Sequence, residues 1–148
     1  MRKLIHVTSR ATRKIVSQPR EAWLLCGMAF WVVVVSVAAR CYSLPRALQL
    51  VAGNKNRRQG LPVEASKDDL ARAIDLVLSA DVFMFKPVCW KRAAVLHRYL
   101  ARNGIATQII FGVRNETGGR VSGHAWLEAN GTPLLEQSPP EYVVTYRF

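Results

Sequence analysis

Cys89 stands where a thiol can become a nucleophile. From Val88 to Asn103 the chain runs through good helix formers, with Pro87 suited to a first helical turn and Gly104 placed as the C-cap. Cys89 therefore falls in the first turn of a helix, where the dipole and the unpaired amides favour thiolate over thiol. Cys89, Ala93, Leu96 and Leu100 share one face, so the thiol points inward, while Lys91, Arg98 and Arg102 lie elsewhere. A lone inward cysteine is more often inert packing, so the chemistry requires a base. There are three histidines. His97 is on the same helix, about 12 Å further along the axis and too far for a hydrogen bond. His6 sits in a basic lead-in, which leaves His124, in the strand after a Gly-rich turn.

A third group must orient the imidazole by accepting its other N–H. If Asn130-Gly131 is a two-residue loop, Ala129 pairs with Thr132 and Ala125 with Glu136, which leaves His124 opposite Gln137 on the other face. A three-residue loop, Ala129-Asn130-Gly131, with Gly131 left-handed in a G1 bulge, pairs His124 with Glu136 on one face. The second register supplies both a legal turn and a partner, and is the one expected. Glu136 is then the acid, with Glu128 and Gln137 as fallback partners; otherwise Glu136 is a solvated strand carboxylate.

The elements that must hold these residues follow from periodicity. Ser66 with Asp69 forms a capping-box signature, and Leu70, Ala73, Ile74, Val77 and Leu78 then recur as one helical face, to about Ala80. After the cysteine helix, Ile105–Arg114 reads as a strand, 115–119 as a turn, Arg120–Ala129 as a second strand, Thr132–Gln137 as a third and Tyr142–Tyr146 as a fourth. Helices followed by an antiparallel meander make an α+β architecture rather than a doubly wound sheet.

The chain has 148 residues, enough for one core of ordinary size. Three cysteines without regular spacing give neither a disulfide scaffold nor, with the three histidines, a zinc pattern, and a reducing interior is the expected home. The net charge of +11 is unevenly placed, because 11 of the 21 Lys and Arg but only one acid, Glu21, lie in residues 1–60. This argues against nucleic acid as partner, since a nucleic-acid-binding domain would spread its charge over the fold. The expected division is a basic region 1–60, with an apolar helix at 22–39 and an exposed linker at 53–62, and a catalytic region 61–148. The apolar run is at the lower limit for a membrane span, and a buried or interfacial helix is preferred.

The segments C-W-K-R-A-A-V-L-H-R-Y-L-A-R-N-G-I (Cys89–Ile105), I-I-F-G-V-R (Ile109–Arg114), G-H-A-W-L-E (Gly123–Glu128) and N-G-T-P-L-L-E (Asn130–Glu136) resemble the transglutaminase-like cysteine peptidase domain of lasso-peptide maturation B proteins. The likeness covers about residues 66–148, with a looser match at Pro19–Leu25. It implies a papain-like core carrying Cys, His and an acid in this chain order. Carried over, Cys89 is the nucleophile, His124 the base, and Glu136 stands where the family commonly has Asp. Trp90 departs from the Leu often found there, while Trp126 and Arg92 read as framework.

The resemblance further implies removal of the leader from a ribosomally made precursor peptide in the cytoplasm, before an ATP-dependent cyclase closes the ring. The chain shows no leader-recognition domain, so it is similar to the split form, in which a separate small protein captures the leader. No cofactor or metal is expected, and membrane contact through 22–39 is one reading of the basic, apolar N-terminal region. Two alternatives remain open at this point: acyl transfer to an amine, and a non-catalytic basic module that binds a membrane or partner.

Overall fold

The computed structural model describes residues 19–52, 66–81, 85, 88–116, 119–136 and 141–148. Between Lys67 and Leu78 the apolar residues Leu70, Ile74 and Leu78 recur every fourth position, and all three are buried. Ser66 caps this helix as its sequence predicts: its hydroxyl accepts the Asp69 amide at 3.1 Å while its own amide donates to Asp69 Oδ2 at 3.3 Å. The cysteine helix ends at a left-handed Gly104 (φ 77°), where Gly104 N–H bonds Ala101 O at 3.1 Å and Ile105 N–H bonds Leu100 O at 2.9 Å. Those two bonds form a Schellman closure, which glycine permits at little steric cost.

Among the described residues the order is α1 (Pro19–Cys41), α2 (Leu44–Ala52), α3 (Lys67–Leu78), α4 (Cys89–Arg102), then β1 (Gln108–Asn115), β2 (Val121–Ala129), β3 (Thr132–Leu134) and β4 (Val143–Arg147). The fold is α+β, with one antiparallel sheet in the order β3-β2-β1-β4. The first three strands form the expected meander. The fourth returns to the far side of β1, and Phe148 N–H and C=O both bond Ile109 at 2.9 and 3.1 Å.

Helix α2 is absent from the sequence expectations. It is short, but Pro45 in its first turn and the buried trio Ala47, Leu48 and Val51 at helical spacing are its signal. The expected linker at 53–62, the lead-in with His6, Pro87 and Gln137 lie outside the described residues.

One apolar core joins the elements. Met28, Val32 and Val35 of α1 and Leu48 and Val51 of α2 meet Leu70 and Ile74 of α3, Leu96, Tyr99 and Leu100 of α4, and Ile109 and Leu127 of the sheet. The charge boundary at residue 60 thus does not coincide with a gap in the packing. Arg98 clips three helices together: its guanidinium lies 3.6 Å above the Trp31 ring and Nη1 donates to Val51 O at 2.6 Å. Lys91, expected off the inward face, is buried.

Candidate active site

Cys89 is the first residue of α4, following an extended N-cap at Val88 (φ −107°, ψ 125°) that offers no side-chain cap. Helix geometry leaves the first amides without intrahelical partners, so donors and the positive end of the dipole gather at the thiol. Cys89 is half-buried, whereas Cys26 and Cys41 are exposed on α1.

His124 comes from β2, paired with Gly112 of β1. Strand alternation gives Ala125 and Leu127 one face and His124, Trp126 and Glu128 the other. On that second face three rings gather: His124 stacks on Trp126 with centroids 5.9 Å apart, and Tyr142 lies 5.3 Å from His124 and 6.2 Å from Trp126. Gly112 makes this possible. A Cβ there would fall 2.7 Å from Tyr142 Cβ and 2.9 Å from the Trp126 ring.

Glu136 reaches His124, with Nε2 and Oε2 3.4 Å apart and both side chains half-buried. The register that brings them together differs from the expected one. Asn130 (φ 52°) and Gly131 (φ 78°) form a two-residue hairpin turn, both left-handed as a type I′ turn requires, and Ala129 pairs with Thr132. The expected three-residue loop, with His124 directly opposite Glu136, is therefore corrected. Asn tolerates the left-handed conformation well, so the tighter turn needs no bulge. Pairing stops at Leu134, and Leu135 then takes φ 60°, which breaks the alternation and carries Glu136 off the Ala125 side.

The fallback acid Glu128 is committed elsewhere. It accepts Trp126 Nε1 at 3.1 Å and Arg147 Nη1 at 2.9 Å, which fixes the indole beside His124. His97 pairs through Nδ1 with Thr107 Oγ1 at 2.8 Å and meets the Phe148 ring edge-on, a packing role.

Arg92, which the sequence reads as framework, lies beside the candidate acid. One turn beyond Cys89, its Nε donates to Asp75 Oδ1 at 2.7 Å and its Nη2 to Asp75 Oδ2 at 3.3 Å, a bidentate grip on α3. Its Nη1 lies 3.9 Å from Glu136 Oε1. The Glu136 carboxylate is thus set between the imidazole and the helix that begins with the thiol. Spacing from Cys89 was the available signal, but Asp75 and Glu136 are too distant in sequence to be read with it. The structure brings His124, Glu136 and Arg92 together, and among the described residues the side-chain hydrogen bond of His124 is to Glu136. Among the described residues no three His, Cys, Asp or Glu side chains are grouped as metal ligands.

A family model described as the transglutaminase-like superfamily matches residues 31–147, which takes in half of α1 and every later element. No curated protein and no solved structure matches the chain.

Proposed function

The chain belongs to the transglutaminase-like superfamily, and we propose that it is a cysteine peptidase that removes the leader from a ribosomally synthesised precursor during lasso-peptide biosynthesis. Cys89 is the nucleophile, His124 the base and Glu136 the acid that orients it. The observation carrying this reading is the Glu136 carboxylate, held between His124 Nε2 at 3.4 Å and the Arg92 guanidinium at 3.9 Å, one turn from Cys89. With Nε2 engaged, Nδ1 is the imidazole nitrogen left to exchange a proton with the thiol.

In the proposed reaction Cys89 gives its proton to His124 Nδ1 and the thiolate attacks the carbonyl carbon at the end of the leader. The negative charge that develops on the carbonyl oxygen is met by the Cys89 amide at the helix start. The C–N bond breaks as the imidazolium donates its proton to the leaving amine, and a thioester remains. Water, deprotonated by His124, then attacks the thioester and releases the leader acid and the thiol. The first transfer requires Sγ and Nδ1 within hydrogen-bond reach, and such contacts commonly tighten only when substrate binds.

A separate leader-recognition protein delivers the precursor, and an ATP-dependent cyclase consumes the freed core peptide, all in the cytoplasm. This part of the proposal rests on the segments quoted above, Cys89–Ile105 and Gly123–Glu136. The test is mass spectrometry of a precursor incubated with the protein and its leader-binding partner. Wild type should give free leader acid and core peptide, and Cys89→Ala should give neither. Intact cleavage by Cys89→Ala would overturn the assignment, and a leader joined to an added amine would replace hydrolysis by acyl transfer.

A further inference from the structure

α1 faces two ways. With 100° per residue and Trp23 as origin, Phe30 and Val37 fall within about 40° of it, while Met28, Val32 and Val35 lie about 120° to 180° around the helix. The first three are 80%, 60% and 43% exposed, and the second three are fully buried. A helix crossing a bilayer would have to pull Met28, Val32 and Val35 out of the core they share with Leu48, Leu70 and Tyr99. That withdrawal is costly, so α1 stays in the protein and offers its other side laterally.

That side has the composition of a lipid contact. The helix is 23 residues long and apolar enough to suit a bilayer, and 28% of its most apolar stretch is buried. No charge occurs between Glu21 and Arg40, and residues 1–60 carry 11 Lys and Arg against that one acid. A tryptophan near one end of an apolar stripe, set in a region of strongly net positive charge, suits the headgroup boundary of an anionic membrane. We infer that α1 docks in the plane of an anionic lipid surface and inserts Trp23, Phe30 and Val37, without spanning it. The inference is independent of the peptidase assignment, because binding can be read without any precursor.

The full chain is sedimented with vesicles of phosphatidylcholine alone and of phosphatidylcholine with phosphatidylglycerol. Binding is expected on the anionic vesicles, weakening with added salt. Phe30→Ser should lower the affinity roughly tenfold, as for one large apolar side chain returned to water. Circular dichroism of the variant checks its fold. Trp23→Phe should keep most of the binding and remove the blue shift of emission that wild type shows on vesicles. Failure of wild type to bind either vesicle overturns the inference. So does a dimer, or a complex with the leader-binding protein, that Phe30→Ser dissolves while vesicle binding is absent. Resistance of the bound protein to alkaline carbonate, as for a spanning helix, overturns it as well.

Discussion

His124 and Glu136 are joined across the end of a strand rather than along a rung of the ladder, with Nε2 and Oε2 3.4 Å apart. β3 gives up its pairing at Leu134, and the left-handed Leu135 turns the next side chain towards the imidazole. A non-glycine residue in that conformation costs about 1 kcal/mol, a strain the surrounding packing of Leu134 and Leu135 sustains.

Glu136→Gln keeps the size of the side chain and removes its charge. If Glu136 steadies the imidazolium formed during acyl transfer, leader cleavage should fall on the order of 10²-fold in kcat with little change in KM. Steady-state cleavage rates over a range of precursor concentrations read both constants. Unchanged turnover would return Glu136 to the role of a solvated carboxylate.

Gly112→Ala should disturb the same imidazole from its other side. The added methyl would meet Tyr142 Cβ at 2.7 Å and the Trp126 ring at 2.9 Å, both too close for real atoms. Overpacking of this kind costs about 1–3 kcal/mol, read as a lower urea midpoint. Cleavage should fall as well, because both displaced rings lie against His124.

Arg98→Lys tests the clip between helices. Lysine keeps the charge but neither the planar stack on Trp31 nor the guanidinium hydrogen bond to Val51 O at 2.6 Å. Burial, with Arg102 nearby, lowers the Arg98 pKa from its ordinary value. Stability measured by denaturant should drop by about 1–2 kcal/mol, and equal stability would show that α4 holds α1 and α2 by apolar contact alone.

The α3 cap predicts an acid sensitivity. Hydrogen bonds from the Ser66 hydroxyl and then the Ser66 amide, helped by the Arg72 charge, hold the Asp69 carboxyl below its ordinary value of 3.8. A carboxylate depressed in the folded state contributes stability above its unfolded pKa and loses it as pH falls through the folded one. The stability gap between wild type and Asp69→Asn should therefore be constant near neutrality and close below about pH 4. A gap that persists into stronger acid would detach the cap from the charge.

Local chemistry was readable where one residue type sets one geometry. Ser66 and Asp69 announce α3, Gly104 ends α4, and Asn130-Gly131 marks a hairpin. The hairpin register is not fixed by its sequence, because two- and three-residue loops around Asn130-Gly131 are both sterically legal. The contact with Glu136 arises instead from Leu135, whose side chain carries no local preference for a left-handed backbone. The place of β4 beside β1 and the Asp75–Arg92–Glu136 bridge depend on closing long loops, which no short pattern encodes.

The common core of α1, α2 and the later helices bears on any attempt to shorten the molecule. A fragment beginning at residue 61 would keep Cys89, His124 and Glu136 yet strip the cover from Leu70, Ile74 and Tyr99. Those side chains would face water, and the fragment would be drawn towards self-association before any question of turnover arose. The upstream helices act as a keel: they carry none of the proposed reacting groups, and the rest of the vessel does not float upright without them.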